Sequence, residues 1–291
     1  MVRAMSLMVN LGALALAAVF FASFLGGVHP AGDSLAVFRL PIAAVFALWV
    51  IWSPWPAWLR WLMAVLCIGA MVQIVALKYT SHPAGPITIY QKNLLFQNDQ
   101  VAALARDIQA ADADIVTLQE LTSRNAPLVR DLRQEYPYQA SCALVEWARV
   151  AILSRWPVEG EICLDKQGLV GLQIVSPSGT FWAFSLHAFW PWPHGQKDQF
   201  DDLFPVLADL GSDVVIAGDF NMVPWSRALR KMATSTGTTR AGPLFPTLIK
   251  WGVPLPIDHV YAPGGGQATR RPLAGSDHSG VLARVFVFDP A

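Results

Sequence analysis

A carboxylate and an amide two residues apart, Gly218-Asp219-Phe220-Asn221, follow the apolar run Val214 to Ala217. In an extended chain, residues two apart point the same way. Asp219 can then orient and deprotonate a water while Asn221 holds a phosphate oxygen, and the glycine permits a tight backbone path. Other apolar runs carry polar tips too: Gln91-Lys92-Asn93 after Ile87 to Tyr90, Gln119-Glu120 after Ile115 to Leu118, and His187 after Phe181 to Leu186. Ile257-Asp258-His259 and Ser276-Asp277-His278 add two acids and two imidazoles. A carboxylate that accepts from one imidazole nitrogen fixes the tautomer and supports an imidazolium, leaving the other nitrogen free for proton transfer. Acids, amides and histidines placed where buried strands emerge can converge on one face of a sheet. Oxygen ligands, a proton-transfer pair and hydrogen-bond donors are the parts of a phosphate-cleaving metal site.

In this order the motifs resemble the endonuclease/exonuclease/phosphatase superfamily of metal-dependent phosphoesterases, over roughly Ile87 to Phe288. The resemblance implies a two-sheet α/β sandwich flanked by helices. It implies that Glu120 binds Mg²⁺ or Mn²⁺, that Asn93 contacts metal or phosphate, and that Asp277 lies near the metal. It also implies that Asp258 orients His278, and that His187 donates to the scissile phosphate or leaving group. Asp219 and His278 both remain candidates for the general base. Alternation along a strand turns His259 to the opposite face from Asp258, which makes it structural. The segment Ala148-Arg149 stands where a glycine is common in the family, and no residue matches the tyrosine of many DNA-repair members. Both departures argue against a DNA-repair role.

The elements that must position these residues follow from periodicity. Strands are expected from Ile87 to Phe96 and from Ile115, then at Tyr138 to Ala143, Val150 to Leu153, Val170 to Val175, Phe181 to Leu186 and Val214 to Ala217. Helical spacing runs from Asp99 to Ala110, Ala126 to Glu135 and Gln199 to Leu210. Residues 234–256 are rich in Thr, Gly and Pro and lack a regular pattern, before short strands at Asp258 to Tyr261 and Val281 to Val287.

Hydrophobic content of 54% against 14% charged residues is high for an ordinary soluble enzyme. The surplus lies in residues 1–78, before a Pro- and Gly-containing linker at 79–86 and a catalytic domain at 87–291. Leu7 to Leu25, Leu35 to Trp52 and the stretch between Arg60 and Lys78 are each apolar enough to suggest a transmembrane helix, three in all. Arg39 would snorkel at an edge. The tryptophans around Ser53 to Trp58 suit a membrane interface. A cleaved signal peptide is the alternative for the first segment.

With three spans and a short N-terminus inside, the domain would face outward, into a bacterial periplasm or its equivalent. Cys142 and Cys163 are spaced as bridged sheet neighbours or as two buried thiols; a bridge would imply an oxidising compartment.

Four of the 21 basic residues but only one of the 21 acids precede residue 79, so the remainder carries a net charge of −3. A sequence-indifferent nuclease usually presents a basic surface. Together with the apolar spans, this favours a phosphorylated or diphosphate lipid as substrate, with the bilayer as partner. A nucleic acid phosphodiester is the first alternative and a non-catalytic membrane scaffold the second. Trp190 and Trp192, in the loop after His187, either pack over the core or sit at the lipid interface beside the site.

Overall fold

The computed structural model describes residues 2–211 and 213–288; the last three residues of the expected catalytic domain, 289–291, lie outside them. The N-terminal unit comprises α1 (Val2–Ala22), α2 (Ala31–Val37), α3 (Arg39–Val50) and α4 (Ala57–Ala76). At 1.5 Å per residue α1 and α4 each reach about 30 Å, enough to cross a hydrocarbon layer.

The middle apolar segment departs from the expected single span. Helix α2 meets α3 at a 77° bend, and the twelve-residue α3 rises only about 18 Å. Among the described residues two helices are thus long and apolar enough to cross, or three if the bent pair counts as one. The bend has a cause in packing. Ala36 and Val37 of α2 are buried in a core with Phe200, Leu203 and Leu207 of the C-terminal domain, so α2 follows that surface while α3 packs against α4. Arg39 does not snorkel: it is buried, lies 4.0 Å over the Phe24 ring, and donates to the Ser23 hydroxyl and carbonyl and the Trp225 carbonyl.

In the C-terminal domain β1 (Ile87–Asn93), α5 (Val101–Ala111), β2 (Ile115–Leu121), α6 (Pro127–Asp131), β3 (Tyr138–Val145) and β4 (Ala148–Ser154) come first. Next are β5 (Val158–Leu164), β6 (Leu169–Ser176), β7 (Gly179–His187), α7 (Gln196–Asp209), β8 (Val214–Asp219) and α8 (Arg227–Ser235). The chain ends through β9 (Thr239–Arg240), β10 (Leu248–Lys250), β11 (Val253–Leu255), β12 (Asp258–Ala262), β13 (Gly266–Arg270) and β14 (Val281–Val285). They form two six-stranded mixed sheets, β13-β14-β1-β2-β4-β3 and β5-β6-β7-β8-β12-β9, with β10-β11 as a separate hairpin.

Alternating apolar residues face inward from both sheets: Ile87, Ile89, Ile115, Val150 and Ile152 from the first meet Val170, Leu172, Ala183, Val215 and Ala217 from the second. Helix α5 covers the outside of the first sheet with Leu104 and Ile108, and α7 covers the second. This is the layered architecture that the family resemblance implied. A disulfide joins Cys142 on β3 to Cys163 on β5, with Cα atoms 5.4 Å apart. It ties the edge strand of one sheet to the edge strand of the other.

Several elements differ from the sequence expectation. The first strand stops at Asn93, and α6 is five residues long where ten were expected. Strands β5 and β13 and helix α8 add to the pattern, and the stretch 234–256 holds β9 and the β10-β11 hairpin. Strands of two or three residues are too short to show a period.

Candidate active site

Alternation places polar residues at the open end of the inter-sheet core. In β1, Ile87 and Ile89 face the core, so Gln91 and Asn93 do as well. The same rule carries Ile115 to Gln119 in β2, Ala183 to His187 in β7, Val215 to Asp219 in β8 and Val260 back to Asp258 in β12. Register then sets neighbours: Asn93 lies opposite Gln119, and Asp219 lies opposite both His187 and Asp258. Glu120 would follow the outer face by alternation. A break in β2–β4 register between Leu118 and Leu121, with Glu120 at φ +57°, turns it to the site instead.

Asn93 is the hub. Its amide nitrogen is 3.0 Å from both Glu120 Oε1 and Asp219 Oδ2, and its Oδ1 accepts from the Leu95 backbone N–H at 3.0 Å. The other Glu120 oxygen accepts from the Phe96 N–H at 2.8 Å. Asp219 Oδ1 accepts from the Asn221 N–H at 2.9 Å, a turn that holds Asn221 at φ +46°. The Asn221 amide donates to the Ala188 carbonyl at 2.8 Å. Its Oδ1 and the His187 Nδ1 are buried with no hydrogen-bond partner among the described residues. Buried polar atoms left unpaired are costly and mark a place for a ligand.

His278 Nδ1 and Asp258 Oδ2 are 2.8 Å apart, and the second oxygen of Asp258 accepts from the Gln91 amide at 2.8 Å. His278 Nε2 lies 3.8 Å from Asp219 Oδ2. Burial disfavours the imidazolium, but the charges of Asp258 and Asp219 outweigh it and raise His278 to about 10. Burial likewise opposes ionisation of Asp258, yet the charge and hydrogen bond of His278 hold it below the usual carboxylate range. Asp219 is pushed the other way, to about 7, by burial and by the charge of Asp258. His187, 3.6 Å from Asp219, is lowered to about 4 by burial, so the two make no ion pair at neutral pH.

Asp219, Asp258 and His278 offer ligand atoms within 4.8 Å of one another. Both Asp258 oxygens are already engaged by His278 and Gln91, so this trio reads as a proton-transfer relay more than a cage. The oxygen-rich focus is elsewhere, where Glu120, Asp219 and Asn93 converge and Asn221 Oδ1 lacks a partner. Two carboxylates and the unpaired Asn221 amide oxygen are donors a hard divalent cation takes, so the residues fit Mg²⁺ or Mn²⁺, with the Asn93 amide N–H holding the two carboxylates in place. Asp277 sits apart. Its side chain is exposed and, among the described residues, accepts no hydrogen bond, although its charge helps raise His278. His259 is buried on the outer face of β12 against the Met222 carbonyl, 3.0 Å away.

The sequence reading passed over a supporting layer. Gln91 links Asp258 to Gln119, and Gln119 continues to Ser185. Lys92 is fully buried and donates to the carbonyls of Pro272, Leu273 and His278, holding the loop that carries His278. Thr247 receives the Asp258 N–H at 3.2 Å. The available signal was a run of polar residues inside strands whose other positions are apolar.

The family model for the Endonuclease/Exonuclease/phosphatase family matches residues 91–278. No curated protein matches the sequence. Among solved structures, truncated Caenorhabditis elegans TDP2 superposes with a TM-score of 0.56 at 17% identity, covering 68% of this chain and 96% of that one. A Staphylococcus aureus beta toxin mutant with bound magnesium ions gives 0.55 at 14% identity, covering 69% and 99%. D. rerio TDP2 complexed with single strand DNA product gives 0.53 at 14% identity, covering 68% and 97%. At these identities the likeness is one of fold.

Proposed function

The chain belongs to the endonuclease/exonuclease/phosphatase family of phosphoester-bond hydrolases, and from that premise we propose a membrane-anchored, Mg²⁺- or Mn²⁺-dependent phosphohydrolase that cleaves a phosphoester or diphosphate bond of a lipid-linked substrate. The observation that carries the chemistry is the convergence of Glu120, Asn93 and Asp219 beside a His278–Asp258 pair, with Asn221 Oδ1 and His187 Nδ1 left unpaired. Glu120 would hold the cation with Asn93 beside it, while Asp277 lies apart on the surface, and a bound cation would neutralise charge developing on the phosphate oxygens.

Asp219 orients the attacking water and takes its proton, for which a pKa raised to about 7 is suited near neutrality. Asp258 fixes the His278 ring so that Nε2 faces Asp219 and the phosphate. His187 Nδ1, as N–H, would donate to a phosphate oxygen, and the unpaired Asn221 Oδ1, an acceptor, would take a hydrogen bond from the attacking water.

The lipid part of the reading is supported by the two long apolar helices, the acidic balance of the domain and the site's place beside the N-terminal unit. The Cys142–Cys163 disulfide supports an oxidising compartment. We place the chain in a bacterial cytoplasmic membrane with the catalytic domain outside. The test is metal-dependent product release by the full chain, with a polyprenyl diphosphate and a supercoiled plasmid offered side by side. Phosphate release without nicking is expected. His278→Ala and Asp219→Ala should each lower turnover at least about a hundredfold while the fold persists by circular dichroism. Nicking without phosphate release would establish the nuclease alternative, and undiminished activity in either folded variant would sink the assignment.

A further inference from the structure

A cleft of about 530 Å³ opens over Glu120, His187 and Asn221, with Phe96, Trp147 and Trp190 among its walls. A second groove, of about 340 Å³, begins where this one ends, since Trp190 and His194 line both. Val37 and Phe38, at the α2–α3 bend, form its far wall, and Trp192, Trp251 and Leu255 its sides. We propose that this groove binds the hydrocarbon chain of a membrane lipid whose phosphate occupies the active site, a proposal that rests on the phosphoesterase reading above.

Continuity is the first argument. The groove leads from the catalytic residues to the bend that joins α2 to α3, and α3 packs on the long apolar helix α4. A chain lying in it would run between the site and the bilayer without crossing water. Lining chemistry is the second. The groove contains no carboxylate among its described residues, and its lone charged side chain, Lys250, lies 5.7 Å from the centres of both the Trp190 and Trp251 rings. A nucleic acid tracking such a path would need repeated cations for its phosphates. A hydrocarbon needs none.

Construction is the third argument. The walls come from three distant segments, and the Ser34 hydroxyl donates to the Trp192 carbonyl at 2.7 Å, pinning the α2 side to the tryptophan loop. Trp190, Trp192 and Trp251 are 37%, 48% and 83% exposed. Covering such a concentrated aromatic surface is favourable in proportion to the apolar area removed from water.

The experiment measures kcat/KM of the full chain in nanodiscs with Mg²⁺ or Mn²⁺ on alkyl p-nitrophenyl phosphodiesters of increasing chain length, all below their micelle concentrations. A single-stranded oligonucleotide is run alongside. Wild type should gain up to about fourfold per methylene buried, then plateau once the groove is filled. Trp190→Ala, which removes a wall, and Ser34→Trp, which fills the groove, should both flatten the ratio of long-chain to short-chain kcat/KM. Using that ratio within one preparation cancels any loss of folded protein. Hydrolysis of every member with no chain-length gain would overturn the groove and leave the phosphoesterase standing. Preference for the oligonucleotide, lost in Trp190→Ala, would overturn it in favour of base stacking. Hydrolysis of no phosphoester by the folded chain would overturn the phosphoesterase reading itself, and this inference with it.

Discussion

The six residues that meet at the site, Asn93, Glu120, His187, Asp219, Asp258 and His278, do different work because their surroundings differ. Asp219 and Asp258 are both buried acids, yet one is raised and the other lowered. The difference is the 2.8 Å contact with His278, which stabilises charge on Asp258 and leaves Asp219 3.8 Å away. That contact sets how the metal-free chain responds to alkali. His278, raised to about 10 from an unfolded value of about 6.5, contributes stability that is complete below the lower value and lost as pH rises through the upper one. Lys92, lowered to about 8 by burial, acts in the opposite sense above its own pKa. The steepest loss therefore belongs between about pH 6.5 and 8. Melting temperatures in EDTA should fall across that window for wild type and stay nearly level for His278→Asn. Parallel slopes would mean the pair does not form.

At the scale of elements, the N-terminal unit is fastened to the segment that follows the Asp219-Asn221 turn of the candidate site. Asp33 of α2 accepts from the backbone N–H groups of Arg227 and Ala228 at 2.7 and 3.0 Å, capping the first turn of α8 from outside its own sequence. The Trp225 indole N–H donates to the Ala36 carbonyl at 2.7 Å, and Ser226 caps Leu229 locally. Orphan N–H groups at a helix start gain about 1 kcal/mol from such a partner. Asp33→Ala should lower the melting temperature of the full chain by a few degrees, and Asp33→Asn, whose amide oxygen still accepts, should restore part of it. No shift in Asp33→Ala would show that α2 and α8 are held by apolar packing alone.

For the whole molecule, the disulfide matters because of where the two cysteines sit. Strands β3 and β5 are edges of different sheets, so the bridge closes one side of the sandwich. A cross-link over a separation of 21 residues is worth about 3 kcal/mol by loop-closure entropy. Exposed Cys163 gives a reductant access. Reduction, or replacement of both cysteines by serine, should lower the melting temperature markedly while the proposed turnover persists below it, because none of the six candidate site residues is part of the bridge. An unchanged melting point would show that the thiols are free in solution.

The sequence by itself determined the residue types of the candidate site and which strands carry them. Period-two alternation and a polar tip on an apolar run are local facts, so Asn93, His187, Asp219 and Asp258 could be assigned to strand ends without coordinates. It also determined that the first 78 residues are too apolar for an ordinary soluble fold. Register, bulges and long-range pairing were decided by the tertiary structure alone.

Whether Glu120 turns inward depends on a bulge against β4, and whether Asp258 or Asp219 holds His278 depends on a spacing set across two sheets. The cysteine partnership, left open by spacing, was settled by two edge strands meeting at a side of the sandwich. The middle apolar segment reads as one continuous helix because hydropathy counts residues along the chain. It bends at Phe38 because burying Ala36 and Val37 in the core of the C-terminal domain removes apolar surface from water, and no sequence window contains both sides of that contact.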